Sequence, residues 1–284
     1  MTEGLRVSDG FTGELTERLD RLRLSFTKKS GGVSGGIRRS NEKGSSNEFS
    51  DFRSYTDGDS LRYVDWNSYA RLGRLFVKLY MEEKQSIVNV LADCSASMSF
   101  DNKDYVSGLL CASLCYAALG GGDRARLEMG GSSLSVSAKA ELSKMLDFID
   151  SAAYRDKFDV VSAVKNMPLN QRGRFILISD FMYPTEETEN AVKYLAYKKQ
   201  ELTLVMLTSP QENEPQLNGE LTLTDSENGE RINVEITDTV IAAYKDALKV
   251  HRGKISALCR KYGAEFTDIR ADDNFTAILG KILR

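Results

Sequence analysis

Short apolar runs alternate with longer helical patterns from residue 86 to the end of the chain. The runs predict strands at 86–93, 124–129, 174–179, 201–208 and 264–269, an edge strand at 133–137 and a hairpin at 221–236. Apolar positions at helical spacing predict helices at 102–119, 139–150, 159–167, 185–199, 238–262 and 273–283. Continuous apolar strands between helices are typical of a mostly parallel sheet with helices on both faces. We therefore expect an α/β, Rossmann-like fold.

The first 85 residues follow a different pattern. Leu15, Leu19, Leu22 and Phe26 recur at helical spacing, which predicts an amphipathic helix over 11–26 packed on the main body. Residues 30–47 are rich in glycine and serine and predict a flexible loop. The chain is thus expected to consist of an N-terminal extension, 1–85, packed on an α/β domain, 86–284.

The amino-acid composition argues against several classes of protein. The chain has 284 residues, 41% of them hydrophobic and 28% charged, with a net charge of -3, a balance that argues against nucleic-acid binding. No run reaches the roughly 18 apolar residues that cross a bilayer, and the four cysteines show no paired spacing. A cytoplasmic protein without membrane insertion is expected. The single histidine, His251, lies on a predicted surface helix, which argues against hydrolases that need an imidazole.

Polar residues follow the predicted strands. The first strand ends in Asp93-Cys94-Ser95-Ala96-Ser97, and a later one ends in Ser179-Asp180. Because the carboxyl ends of parallel strands meet at one edge of a sheet, these side chains are expected to lie together. Carboxylates and hydroxyls without an imidazole or a thiolate pair suit a hard divalent cation, Mg²⁺ or Mn²⁺.

The pattern Asp93-x-Ser95-x-Ser97 with Asp180 resembles the metal-ion-dependent adhesion site of von Willebrand factor type A domains. The resemblance implies that Ser95 and Ser97 coordinate a metal through their hydroxyls and that both aspartates bind it directly or through water. A partner's carboxylate would complete the shell. The sequence departs from the family at the middle loop, where Phe158 stands in place of a threonine and Asp159 is the residue that could compensate. In the alternative interpretation, the serines only cap the turn and the next helix.

A second resemblance covers about residues 45–284. The stretches EFSDFRSY at 48–55 and DGDSLRYVDW at 57–66, with Tyr244 and the segment 259–264, are similar to the bacterial "domain of unknown function fifty-eight" family. The resemblance implies a type A-like protein that works as an adaptor beside a MoxR-type AAA+ ATPase.

Arginines, acidic residues and aromatic residues alternate within residues 48–84, which we call the signature segment. They offer guanidinium–carboxylate pairs around aromatic anchors, and they predict either a structural network or a surface that docks a protein partner. The candidate partner-binding residues are Arg53, Tyr55, Arg62, Asp65, Trp66 and Arg71.

Together these features predict a non-enzymatic protein-protein interaction module with a degenerate metal-ion-dependent adhesion site, and no residue is proposed as catalytic. Two alternatives stay open. One is a Mg²⁺-dependent phosphohydrolase that uses Asp93 as its nucleophile, although Ser95 stands where such enzymes need a second aspartate. The other is a structural scaffold whose metal site is dead.

Overall fold

A computed structural model describes residues 5–30, 49–80, 86–155, 157–227 and 229–283. In chain order, the helices are α1 (Val7–Gly10), α2 (Gly13–Ser30), α3 (Trp66–Leu72), α4 (Lys103–Gly120), α5 (Leu142–Asp150), α6 (Val160–Asn166), α7 (Thr185–Tyr197), α8 (Pro210–Asn213), α9 (Asp238–Tyr262) and α10 (Phe275–Ile282). Short 3-10 helices span Leu61–Tyr63, Ala96–Asn102 and Lys139–Glu141. The strands are β1 (Phe49–Ser54), β2 (Phe76–Tyr80), β3 (Ile87–Ala92), β4 (Arg124–Met129), β5 (Ser132–Val136), β6 (Arg174–Ser179), β7 (Glu201–Thr208), β8 (Gly219–Thr224), β9 (Arg231–Ile236) and β10 (Glu265–Arg270).

The chain forms two compact units, one made of Met1–Lys29 with Ser86–Arg284 and the other of Ser30–Gln85. The larger unit is built on a six-stranded sheet of order β10-β7-β6-β3-β4-β5. All neighbours in it are parallel except β5, which runs antiparallel to β4 at one edge. This agrees with the α/β class and the mostly parallel sheet that the apolar runs predict.

Helices cover both faces of the sheet. Because successive side chains of a strand point to opposite faces, Val90 and Ala92 of β3 join a core with α4, α5 and α10, whereas Leu91 joins a core with α6, α7 and α9. Helix α4 is buried along most of its length, as its apolar sequence predicts. The β8–β9 hairpin is a separate two-stranded sheet, and its residues are mostly exposed.

The N-terminal helix belongs to the larger unit, which differs from the predicted boundary at residue 85. Leu19 of α2 is 1% exposed and joins the α4 core, as does Val7 of α1, a helix that the sequence did not predict. The backbone N–H of Val7 donates to Asp150 Oδ1 at the end of α5, at 2.7 Å. The packing of α2 on the main body thus agrees with the prediction, and only the short helix α1 is an addition to it.

The smaller unit contains β1 and β2, which pair antiparallel with Arg53 opposite Val77. Helix α3 begins after Asp65, whose carboxylate accepts from the Asn67 N–H, and it ends at Gly73, which has a φ of 65°. Sequence analysis predicted no strands in this segment, because its strands are short and mix polar with apolar residues. The predicted Gly/Ser-rich loop lies outside the described residues, apart from Ser30 at the end of α2.

No helix in the described ranges is both long enough and apolar enough to span a bilayer.

Candidate functional site

The loops after β3 and β6 start side by side at the carboxyl edge of the sheet. The two strands are parallel neighbours, with Ala92 opposite Ile178. From this pair the chain continues outward in opposite directions, to β4 on one side and to β7 on the other. In open α/β sheets such a reversal of strand order opens the crevice in which ligands bind.

Asp93 leaves β3 at this edge and is completely buried. Its backbone N–H donates to the Ile178 carbonyl at 2.9 Å. Its Oδ1 accepts from the Ser95 N–H at 2.8 Å, and its Oδ2 accepts from the Ser179 hydroxyl at 2.6 Å. The Asp93 carboxylate is therefore held by both loops.

The pKa of Asp93 is raised to about 6. Burial is the main cause, the hydrogen bonds from Ser179 and Ser95 lower the pKa, and the negative charge of Asp180 adds to the rise. Asp93 is accordingly mostly ionised at pH 7, with no ion-pair partner of its own in the described part of the chain. Asp180 is 1% exposed, so two carboxylates lie buried within electrostatic range of each other.

The two predicted serine ligands lie together. The hydroxyl oxygens of Ser95 and Ser97 are 3.1 Å apart, either of them able to donate to the other. Ser95 is 2% exposed, whereas Ser97 is half-buried. Two adjacent ligands of an octahedral Mg²⁺ would be about 3.0 Å apart, given bonds of about 2.1 Å. The distance between the Ser95 and Ser97 oxygens thus fits two ligands of one metal ion and an ordinary hydrogen bond equally well.

Asp180 is paired with a lysine that sequence analysis missed. Lys103, the first residue of α4, is completely buried, and its Nζ lies 2.9 Å from Asp180 Oδ2 and 2.6 Å from Glu212 Oε1. Burial alone would lower the pKa of Lys103, but the charges of Asp180 and Glu212 outweigh it and raise the pKa. The lysine is therefore protonated. One signal in the sequence could have identified Lys103: it is the only basic residue of an almost wholly apolar helix, and it stands at the start of that helix.

Glu212 is held in place by the short helix α8. It forms a capping box with Ser209, in which Glu212 Oε2 accepts from the Ser209 N–H at 2.7 Å and the Glu212 N–H donates to the Ser209 hydroxyl at 3.1 Å. The pattern Ser209-Pro210-x-Glu212 is a recognisable helix start, but nothing in its spacing points to Lys103.

The loop after Asp180 is strained and firmly anchored. Phe181 is buried with a φ of 56°, a conformation that bulky side chains rarely adopt. Its N–H donates to the Ser179 hydroxyl at 2.9 Å, and its carbonyl lies 2.9 Å from His251 Nε2. His251, expected on a surface helix without a role, is half-buried and ties α9 to this loop.

The middle loop contributes an aromatic contact. Phe158 and Tyr183 have ring centroids 6.1 Å apart, and Tyr183 lies 6.0 Å from Phe181. The Tyr183 hydroxyl is buried and has no hydrogen-bond partner among the described residues. Burial raises the pKa of Tyr183 well above its usual range, and Asp93 raises it further. Phe158 therefore packs on the ring of a residue that lies near the Asp93 carboxylate.

Asp159 is occupied elsewhere. It is the N-cap of α6, where its carboxylate accepts from the Ser162 N–H at 2.9 Å and from the Ser162 hydroxyl at 2.7 Å. The backbone bond to Ser162 lowers the pKa of this exposed carboxyl. Asp159 lines a groove of about 470 Å³ beside Cys94, Glu128 and Arg155. Within the described ranges, no contact joins Asp159 to the other four predicted ligands.

These side chains do not fit a divalent cation as they stand. The two hydroxyls have the right spacing, but both oxygens of Asp93 and both of Asp180 already accept hydrogen bonds. Phe158 offers no oxygen where the resemblance expects threonine. Within the part of the chain that the structure describes, no three His, Cys, Asp or Glu side chains are grouped so that they could hold a metal ion.

The candidate partner-binding residues of the smaller unit form local networks and an exposed face. Arg53 makes a bidentate pair with Asp59, at 2.7 and 2.6 Å, which lowers the pKa of that carboxyl. Asp65 accepts from the Ser68 hydroxyl at 2.6 Å and lies 3.4 Å from Lys78 Nζ. The exposed side chains of this unit include Leu61, Arg62, Trp66, Tyr69, Arg71 and Leu72, whereas Tyr55 is half-buried.

Comparison with known proteins places the chain among bacterial relatives. It is 25% identical over 278 residues to uncharacterized proteins Mb1516 of Mycobacterium bovis and Rv1480 of Mycobacterium tuberculosis, an alignment that covers 93% of this chain and 87% of each relative.

Solved structures with a similar course of the chain include two from Bacteroides. BatB from Bacteroides thetaiotaomicron has a TM-score of 0.44 at 11% identity, covering 70% of this chain and 97% of BatB. An aerotolerance-related membrane protein from Bacteroides fragilis has a TM-score of 0.44 at 13% identity, covering 69% of this chain and 96% of that one.

One family model matches residues 51–254, which include the signature segment, both loops of the carboxyl edge and most of α9. Since this match covers well over half of the sequence, the chain belongs to the family described as protein of unknown function DUF58.

Proposed function

We propose that this chain is a non-enzymatic protein-interaction module with a von Willebrand factor type A-like fold, which binds a protein partner at the carboxyl edge of its sheet. The observation that carries the proposal is the meeting of Asp93, Ser95, Ser97 and Asp180 at the point where the strand order reverses. Asp93 and Asp180 follow β3 and β6 directly, and Ser95 and Ser97 lie on the segment that continues from Asp93.

Exposed apolar side chains beside this edge support protein binding. Phe100, on the loop after β3, is 46% exposed, and Met182, on the loop after β6, is 44% exposed. Aromatic residues and methionine are enriched in the cores of protein interfaces, so exposed Phe100 and Met182 suit contact with a protein partner.

The partner we propose is a MoxR-type AAA+ ATPase, for which the chain would serve as an adaptor. Binding of the whole chain to the purified ATPase of the same organism tests this. Phe100→Glu and Met182→Glu place charges on exposed positions and should each weaken binding roughly tenfold or more without unfolding the protein.

Tyr197→Glu is the matched control. Tyr197 is 80% exposed and ends α7, just before β7 begins, so it lies at the opposite edge of the sheet. The control should bind like the wild type. Absence of wild-type binding would contradict the choice of partner, and equal binding by all four proteins would contradict the choice of edge.

Two finer expectations stay predictions. The first is the binding of Mg²⁺ or Mn²⁺. Calorimetric titration of the metal into the wild type and into Asp93→Ala tests it for the predicted ligands Asp93, Ser95, Ser97, Asp180 and Asp159. The phosphohydrolase alternative needs an Asp93 oxygen free to attack phosphorus, whereas both oxygens accept hydrogen bonds. Turnover of phosphomonoesters that disappears in Asp93→Asn would favour that alternative.

A further inference from the structure

The buried Lys103–Asp180–Glu212 triad stands at the edge where the family resemblance implies a metal. A fully buried ammonium must be paired and hydrogen-bonded, and Lys103 satisfies this with one oxygen from each carboxylate. We propose that Lys103 supplies from within the chain the positive charge that a divalent cation would otherwise supply, so that the edge forms and functions without metal.

The remaining oxygens of both acids support this. Asp180 Oδ1 accepts from the Met182 N–H at 3.2 Å, and Glu212 Oε2 accepts from the Ser209 N–H at 2.7 Å. Every carboxylate oxygen of the triad thus has a donor within the chain. A metal could recruit Asp180 only by displacing the ammonium or by sharing the carboxylate with it, and the two cations would repel each other.

The backbone around the triad is the most strained part of the described chain. Of the four non-glycine residues with positive φ in the described chain, three, Asp101, Asn102 and Phe181, lie within two residues of Lys103 or Asp180. Such conformations persist where surrounding contacts impose them. Two left-handed residues immediately before Lys103 set where α4 begins and hence where its first side chain enters the core.

Thermal unfolding with and without Mg²⁺ or Mn²⁺ tests the inference. Wild-type protein should unfold at the same temperature in both. Lys103→Met keeps the volume of the side chain but leaves the buried Asp180 and the half-buried Glu212 without a cation, which should lower the midpoint by roughly 10 °C. Divalent metal at about 100 times its Kd should then raise the midpoint of this variant by roughly 5 °C.

Lys139→Met is the matched control, because Lys139 also pairs with a carboxylate, Asp20 at 2.9 Å, but is 39% exposed. It should show no metal response. A folded Lys103→Met protein that ignores both metals would overturn the inference, as would a metal-induced rise in the wild type that Ser97→Ala abolishes.

Should Lys103→Met fail to fold, two further measurements decide. The double variant Lys103→Met, Asp180→Asn removes both charges and should fold without metal. Mn²⁺ titrated into the wild type, followed by water-proton relaxation, should reveal no site that depends on Ser97, and such a site would refute the inference. The inference rests on the proposed function only in taking this edge as the ligand-binding face, and failure to bind the ATPase would leave the metal result unchanged.

Discussion

Asp93 combines complete burial, two accepted hydrogen bonds and a neighbouring negative charge. Since its pKa is raised from 3.8 to about 6 in the folded chain, folding favours its protonated form. The stability gained from that form is fully present below the unfolded pKa and is lost as pH rises through the folded pKa. Asp93 therefore makes the protein less stable at pH 7 than at pH 4.

We predict that Asp93→Asn removes this dependence, because the amide is isosteric and does not ionise. The wild type should lose about 2 kcal/mol of unfolding free energy relative to the variant between pH 4 and pH 7. Urea denaturation at both pH values measures the difference. The control is Asp159→Asn, which removes a carboxylate of lowered pKa. It should lower stability at pH 7, and this effect should disappear as pH falls through that lowered pKa. Parallel pH profiles for wild type and Asp93→Asn would refute the argument.

For single residues, the sequence predicted which side chains follow the strands but not which other side chains they contact. The position of Asp93, Ser95 and Asp180 at one edge could be predicted, because they follow apolar runs and the carboxyl ends of parallel strands share an edge. Lys103 and Glu212 were not found, because their meeting depends on where α4 starts and on the path of the chain after β7. The sequence shows that Phe158 replaces the threonine ligand that the resemblance expects. Its packing on Tyr183 could not be predicted, because that contact depends on the tertiary structure.

Among the elements, α2 shows how far periodicity reaches. The spacing of its leucines predicted an amphipathic helix, and Leu19 lies fully within the core of the larger unit. The strands β6 and β7 have the predicted bounds, because continuous apolar residues between polar ends leave little choice. Strands β1 and β2 were missed, since FSDFRS mixes polar with apolar residues and FVKLY, although mostly apolar, is short.

We predict that Leu19→Ala lowers the unfolding free energy of the larger unit by roughly 2 to 5 kcal/mol, because it leaves a cavity in a packed core. Leu5→Ala is the control, since Leu5 is 67% exposed and its truncation should change stability by less than about 0.5 kcal/mol. Chemical denaturation followed by circular dichroism measures both. Equal stability of Leu19→Ala and wild type would show that α2 is not part of this unit.

For the whole molecule, the strand order concentrates polar side chains at one place in an otherwise apolar unit. Asp180 and Glu212 pair there with the Lys103 ammonium, and Asp93 lies close enough to Asp180 for that negative charge to raise the Asp93 pKa. Burial of these groups is costly, and it is repaid only if the edge keeps its hydrogen bonds. Phe100 and Met182, on the loops after β3 and β6, then present exposed apolar side chains beside the buried Asp93 and Asp180.

Hydrogen exchange of the whole chain, alone and saturated with the purified AAA+ ATPase, tests most directly whether the carboxyl edge binds the partner. The account predicts slowed exchange at 93–103, 180–184 and 209–214, with the amino ends of the same strands unchanged. Protection confined to 49–80, or to the opposite edge of the sheet, would contradict it.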